Sequence, residues 1–278
     1  MSLRINNNVE AFNTHRQLVG SAAKMAKSME RLSSGYRINR AADDAAGLAI
    51  SEKMRGQITG LAQAQRNAQD GVSLVQTGEG ALTEVHSMLQ RVRELRSQYG
   101  NDTLSTTDKD AIRAEVAQLA TEIGDIKTNT KFNGVSLLSA TGSIALQVGA
   151  NDGETVTITT SDLTASATSP GLAEVAGITS ATNDATFAAL TLDDIDNAIA
   201  EVSDTRAAFG SVQNRLEHRI ANLASYQENL ISAESRIRDV DMAKEMVEFT
   251  KSQILQQAGT SMLAQANQAP QSVLSLLR

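Results

Sequence analysis

His15, His86 and His218 are the side chains best suited to acid–base or metal chemistry near neutral pH, and they stand far apart in the chain. None forms the His-x-x-x-His spacing that sets two imidazoles on one helical face as metal ligands. On the polar faces of helices such residues are more often solvated than catalytic. The carboxylate pairs Asp43-Asp44 and Asp193-Asp194 could do general acid–base work only in a pocket that raises one pKa, and the sequence offers none. They suit the first turn of a helix instead, where a carboxylate meets free amides and the positive end of the dipole. Gly71, Gly78 and Gly80 lack the Gly-Lys-Ser/Thr element and the preceding strand of a phosphate loop. They read as points of close helix approach, each at about 1 kcal/mol of helix propensity. Cysteine is absent, which removes disulfides, thiolate catalysis and cysteine-bound zinc or iron–sulfur clusters. These residues predict no enzyme, no cofactor and no metal site.

The elements around them are unusual. The 278 residues carry 25 Lys and Arg against 32 Asp and Glu, a net charge of −7 that argues against nucleic acid as a partner. Hydrophobic residues make 41% of the chain but aromatic residues only 3%, a balance that favours long helices at close distance over a globular core. Pro170 and Pro270 are the two prolines, so proline interrupts no helix in the first 169 residues. No stretch approaches the roughly 20 apolar residues of a membrane span, and the first residues lack the apolar run of a secretory signal. Membrane insertion is not expected, and if the chain leaves the cell it leaves by another route.

Between Phe132 and Thr205 there is no Lys or Arg, and ten Asp and Glu. Inside that stretch Ile144–Val148 and Thr155–Thr160 alternate apolar and polar residues on either side of Gly149-Ala-Asn-Asp-Gly153, which predicts a β-hairpin in a short acidic insert over 139–190. Helical periodicity rules both flanks. From Ile58 through Leu61, Ala68, Val72, Val75, Leu82, Val85 and Leu89 to Val92 the mean apolar step is about 3.4, and from Ile195 to Leu230 about 3.5, the spacing of coiled-coil seams. A first helix from about Asp44 to Tyr99 would be roughly 84 Å long. After Gly100-Asn-Asp102, Thr107-Asp-Lys-Asp110 reads as a capping box for a shorter helix, and Thr191-Leu-Asp-Asp194 opens the returning one. The fold class is therefore mainly α, an antiparallel coiled-coil rod with a small β-hairpin at its outer end and paired terminal helices.

Both ends carry too many apolar faces for one neighbour. Ile5, Val9, Phe12, Val19 and Met29 mark the first helix, and Met246, Phe249, Ile254, Leu255, Met262, Leu263, Leu274 and Leu277 fall on more than one face of the last. Other copies of the chain must cover them, or they stay wet. Burying each Leu or Met is worth roughly 1.5–3 kcal/mol, so self-association is favoured.

The stretch Glu30-Arg-Leu-Ser-Ser-Gly-Tyr-Arg-Ile-Asn-Arg-Ala-Ala-Asp-Asp-Ala-Ala-Gly-Leu-Ala-Ile50 closely resembles the amino-terminal signature of bacterial flagellin, as does Arg66-Asn-Ala-Gln-Asp-Gly-Val-Ser-Leu-Val-Gln-Thr-Gly-Glu-Gly-Ala-Leu82. Gln213-Asn-Arg-Leu-Glu217, Ser235-Arg-Ile-Arg-Asp-Val-Asp241, Gln256-Gln-Ala-Gly259 and Leu263-Ala-Gln-Ala-Asn-Gln-Ala-Pro-Gln271 resemble its carboxyl end. The resemblance covers residues 1 to about 138 and about 190 to 278 and marks a minimal member without large outer domains. It implies a structural subunit of the extracellular flagellar filament, exported unfolded and polymerised at the distal tip for motility. Implied partners are further copies, the export apparatus and an export chaperone on the carboxyl helix, and the filament cap and junction proteins. A hook–filament junction protein is the alternative role. The family's architecture divides the chain into an inner core with its spoke (1–42), a rod (43–138), the insert (139–190), a returning rod helix (191–236) and the rest of the inner core (237–278). Gly35, Tyr36, Arg37 and Asn39 match the spoke that joins inner and outer tubes. In many flagellins one surface of the first long helix contacts the vertebrate flagellin-sensing Toll-like receptor. Gln90, Arg91, Leu95, Gln98 and Glu115 match it, with Leu95 as an anchor, and Arg96 and Ser97 depart from the small and apolar residues usual there.

Overall fold

A computed structural model describes residues 8–160, 162, 163, 175, 187 and 190–276, with side chains through residue 268. Among the described residues the elements follow in the order α1 (Val9–Ser34), α2 (Ala45–Tyr99), α3 (Thr106–Asn129), β1 (Lys131–Phe132), β2 (Val135–Ser136), β3 (Gly142–Gln147), β4 (Thr155–Thr160), α4 (Leu192–Arg238) and α5 (Met242–Leu276). Two compact units share them: a terminal unit of Met1–Gly56 with Glu228–Arg278, and a middle unit of Gln57–Gln227.

In the middle unit the seams pack as their spacing requires. Val85, Leu89 and Val92 of α2 are fully buried, with Val116 and Ile123 of α3 and Ile195, Val202 and Phe209 of α4. Arg93 and Asp196 form a two-point ion pair at 2.6 and 3.1 Å, and Glu79 meets Arg206 at 3.8 Å, so α2 and α4 run antiparallel. Arg91 meets Glu115 at 2.9 Å and Lys109 Nζ lies 5.4 Å from the Tyr99 ring centre, so α3 runs antiparallel to α2 as well. The Arg93 guanidinium holds the Asp196 carboxyl below its usual range.

Local chemistry sets the starts. At α4 the Thr191 amide donates to Asp194 at 2.8 Å and the Asp194 amide donates to the Thr191 hydroxyl at 3.2 Å, the reciprocal cap read from the sequence. The box expected at Thr107–Asp110 lies two residues earlier. Ser105 caps α3, donating its amide to Asp108 and accepting from the Asp108 amide, because that pair satisfies free donors while leaving Thr106 and Thr107 inside the first turn. Of the first aspartate pair, Asp44 caps α2 by accepting from the Gly47 amide at 2.8 Å, whereas Asp43 lies outside the helix.

β3 and β4 pair antiparallel, Ile144 opposite Ile158 and Leu146 opposite Val156. Val156, Ile158 and Thr160 alternate inward as a half-buried strand must. The position of this hairpin corrects the outer-end expectation. The Asn67 side chain donates to the Gln147 carbonyl at 2.9 Å, and Gly60 lies against Ala150, so the hairpin is laid along the first half of α2. Leu146 of β3, paired with Val156 on the apolar face of the hairpin, reaches α2 at Gly71. Gly71 and Gly78 act as expected. A Cβ on Gly71 would stand 2.3 Å from Leu146 Cδ1, and one on Gly78 would stand 2.7 Å from the Phe209 ring. Gly80 differs: it is exposed, and an added Cβ would meet nothing within 4 Å. The β1–β2 hairpin turns on Asn133-Gly134, both at positive φ, a two-residue turn signal.

Candidate self-assembly surfaces

The terminal unit is built on α1 against α5. Asn8 caps α1 by accepting from the Ala11 amide at 3.1 Å, and its own amide group donates to the Ala266 carbonyl at 2.8 Å. Farther along, Leu18 sits 3.2 Å from where a Cβ would stand on Gly259, and Arg31 meets Glu245 at 3.5 Å. The two helices are thus antiparallel, and each covers one stripe of the other. The remaining apolar side chains are uncovered. Phe12 is 73% exposed, and Val9, Val19 and Met29 on α1 and Met246, Ile254, Leu255 and Met262 on α5 are about half exposed or more. Phe249 and Leu263 are half-buried. Val247, 67% exposed, escaped the sequence reading because it falls off the stripe through Met246. Ile5, Leu277 and the side chain of Leu274 lie outside the described residues.

α1 ends where Gly35, at φ 74°, donates its amide to the Arg31 carbonyl at 2.8 Å. From there the connector pairs with the junction of α4 and α5. The Arg37 amide donates to the Arg238 carbonyl at 2.7 Å, the Val240 amide donates to the Gly35 carbonyl at 3.0 Å, and Tyr36 bridges to Asp239. The Arg238 guanidinium lies 4.9 Å from the Tyr36 ring centre and pairs with Glu52 at 2.6 Å. The Arg37 side chain donates to the Ile237 carbonyl, and that of Asn39 donates to Glu30 at 3.0 Å. Ile38, fully buried, is the apolar peg of an otherwise polar loop. Asp43 accepts from the Asn39 and Arg40 amides and pairs with Lys27 at 2.6 Å. Lys27, followed by the Arg40 amide, brings the Asp43 carboxyl down to about 2. All four expected spoke residues therefore stand in one hydrogen-bonded segment. Its pairing with 238–240 carried no local sequence signal, since the partners are some 200 positions apart.

On the middle unit Gln90, Arg91 and Gln98 are exposed on α2 and Glu115 is half-buried on α3. Arg91 links Glu115 at 2.9 Å and Glu94 at 3.2 Å. Leu95 corrects the anchor expectation: it is 2% exposed, packed in the core with its seam. It continues the step of three from Val92, and burial claims it. Arg96 donates to the Leu190 carbonyl at 2.7 Å and lies 5.5 Å from both the Tyr99 and Phe187 ring centres. His15 and His218 are exposed, while His86 is half-buried and shares a hydrogen bond of 3.0 Å with Gln90. Among the described residues no group of His, Cys, Asp and Glu could hold a metal ion, and no helix is long and apolar enough to cross a membrane.

Paired terminal helices that leave apolar faces exposed to water present interaction surfaces. The comparisons with known proteins give the class. Residues 5–143 match the bacterial flagellin N-terminal helical region and residues 192–277 the C-terminal helical region. A flagellin of Halalkalibacterium halodurans is 54% identical over 99% of both chains. A flagellin of Bacillus subtilis is 50% identical, covering 99% of this chain and 100% of that one, and the flagellar filament 33 kDa core protein of Treponema phagedenis is 46% identical over 99% of both. The chain belongs to the bacterial flagellin family, and its role is that of a structural subunit that self-assembles into the flagellar filament.

Proposed function

We propose that the chain polymerises through the apolar residues of α1 and α5, with residues 1–42 and 237–278 as the inner filament core, 43–138 and 191–236 as the rod, and 139–190 as the insert. The observation that carries this is the exposure of Phe12, Met246, Ile254, Leu255 and Met262 on two helices that already cover each other's remaining faces. Several such side chains at roughly 1.5–3 kcal/mol each outweigh the freedom lost on association. Gly35, Tyr36, Arg37 and Asn39 hold the spoke. In this reading the chain works without catalysis or a cofactor, outside the cell, after passing unfolded through an export apparatus. An export chaperone covers the carboxyl helix until then, and the filament cap and junction proteins bound the polymer. The Toll-like receptor reading keeps Gln90, Arg91, Gln98 and Glu115 as contacts and leaves Leu95 to the core.

Negative-stain microscopy of purified protein tests the assembly reading. Long tubes from the unaltered chain and none from Phe12→Ser are expected; tubes of normal length from Phe12→Ser combined with Ile254→Ser would sink it. A monomer preparation of Arg91→Glu that signals through the receptor as strongly as the unaltered monomer would remove the receptor contact.

A further inference from the structure

The terminal helix pair is polar where α1 ends and α5 begins. Lys24, Lys27, Ser28 and Arg31 recur at steps of three and four along α1, and Asp241, Lys244, Glu245, Glu248 and Ser252 follow the same rule along α5. These two stripes, with Arg37, Arg236, Asp239 and Val240, line a groove of about 500 Å³. Its lining includes two hydroxyls without a hydrogen-bond partner among the described residues. Ser28 and Ser252 are 6% and 5% exposed, yet neither side chain makes a hydrogen bond to any described residue. Some helical serines donate back along their helix, Ser73, Ser203 and Ser261 to the carbonyl four residues earlier and Ser51, Ser87 and Ser211 to the one three residues earlier. Both hydroxyls meet the solvent of the groove, which leaves them able to donate to a group that enters it.

The charges say what it is. Lys27 is engaged by Asp43 and Arg31 by Glu245, and Glu248 has Lys251 at 3.8 Å. Among the described residues Lys24, Arg37, Arg236 and Lys244 have no carboxylate within ion-pair distance, against two carboxylates, Asp239 and Asp241, without a cation; Asp241 is already occupied in capping α5. Two hydroxyl donors under four unpaired cations form a donor set for an acceptor-only, negatively charged group. We propose that this groove is an oxyanion site, taking a phosphate-like or carboxylate group between Ser28, Ser252, Lys24 and Lys244. Such a group can come from free inorganic phosphate or from an acidic side chain of a second copy.

Filaments of the full chain, in which α1 and α5 are paired, separate the two sources. Radiolabelled inorganic phosphate is dialysed against them at fixed ionic strength, and the groove is viewed in a helical reconstruction. Saturable phosphate uptake, at least tenfold weaker in Ser28→Ala/Ser252→Ala and in Lys24→Gln/Lys244→Gln but unchanged in Lys131→Gln, establishes the site with a free anion. No uptake, with a neighbouring copy's carboxylate within 4 Å of Lys24 or Lys244, establishes the same site with the second source. Uptake indifferent to the serine and lysine changes, or a groove holding only water or apolar side chains, overturns the proposal. Failure of the unaltered chain to form filaments would instead count against the assembly reading.

Discussion

Glu201 sits on α4 where burial opposes its charge, and Asp162 adds like charge, so its carboxyl is pushed up from the ordinary value near 4.5. One of its oxygens is buried without a hydrogen-bond partner. An acid whose folded pKa is raised weakens the fold above that pKa, and the penalty disappears below the unfolded value. Glu201→Gln should therefore raise the melting temperature at pH 7 and change it little at pH 4; a lower melting temperature at pH 7 would show that the charge is engaged. Asp43 has the opposite sign. Its carboxyl is depressed from 3.8 to about 2 by Lys27 and the Arg40 and Asn39 amides, so what it contributes is complete above pH 4 and fades as the pH falls toward 2. Asp43→Asn should speed hydrogen exchange at the Asn39 and Arg40 amides at pH 6, and exchange rates equal to those of the unaltered chain would count against its role in the connector. Neither residue could be assigned from its neighbours in the chain. Asp43 looks like a first-turn residue until Lys27, sixteen positions earlier, is folded against it.

Along α2 the glycines separate two causes that look alike in sequence. Gly78 lies under the rigid ring of Phe209, itself 1% exposed, whereas Gly80 faces open space. Gly78→Ala should cost about 1–3 kcal/mol through overpacking, and Gly80→Ala should add about 0.5–1 kcal/mol of helix propensity. In a unit of this size each kcal/mol moves the melting temperature by roughly 2–4 °C, so thermal unfolding should shift the two variants in opposite directions. The same sign for both would mean that close approach is not what Gly78 provides. The heptad-like steps from Ile58 to Val92 placed the seam correctly because burial follows a period that local sequence carries. Leu95 follows that period too, and family likeness alone had put it on the surface. The start of α3 slipped by two residues because Ser105-x-x-Asp108 and Thr107-x-x-Asp110 satisfy the same cap chemistry.

At the level of the molecule, charge and grease are distributed in opposition. The terminal unit has 14 Lys and Arg against 11 Asp and Glu, the middle unit 11 against 21. Acidic units brought side by side in a polymer repel over about 30 Å at 0.01 M salt and about 8 Å at 0.15 M. Light scattering should accordingly show faster assembly as ionic strength rises over that range; a rate that falls would mean that attraction between unlike charges drives association. Removing residues 240–278 should leave a soluble chain that forms no tubes, and tubes from that fragment would take the apolar faces of α5 out of the account. Composition, spacing and motif were enough to establish long helices and a hairpin, because periodicity and capping are local properties of a chain. Where the hairpin lies along α2, how the connector after α1 pairs with 238–240 and why Ser28 and Ser252 share a groove depend on contacts between positions far apart in sequence. Those choices are made by burial and hydrogen bonding in three dimensions, where residues with no common local signal become neighbours.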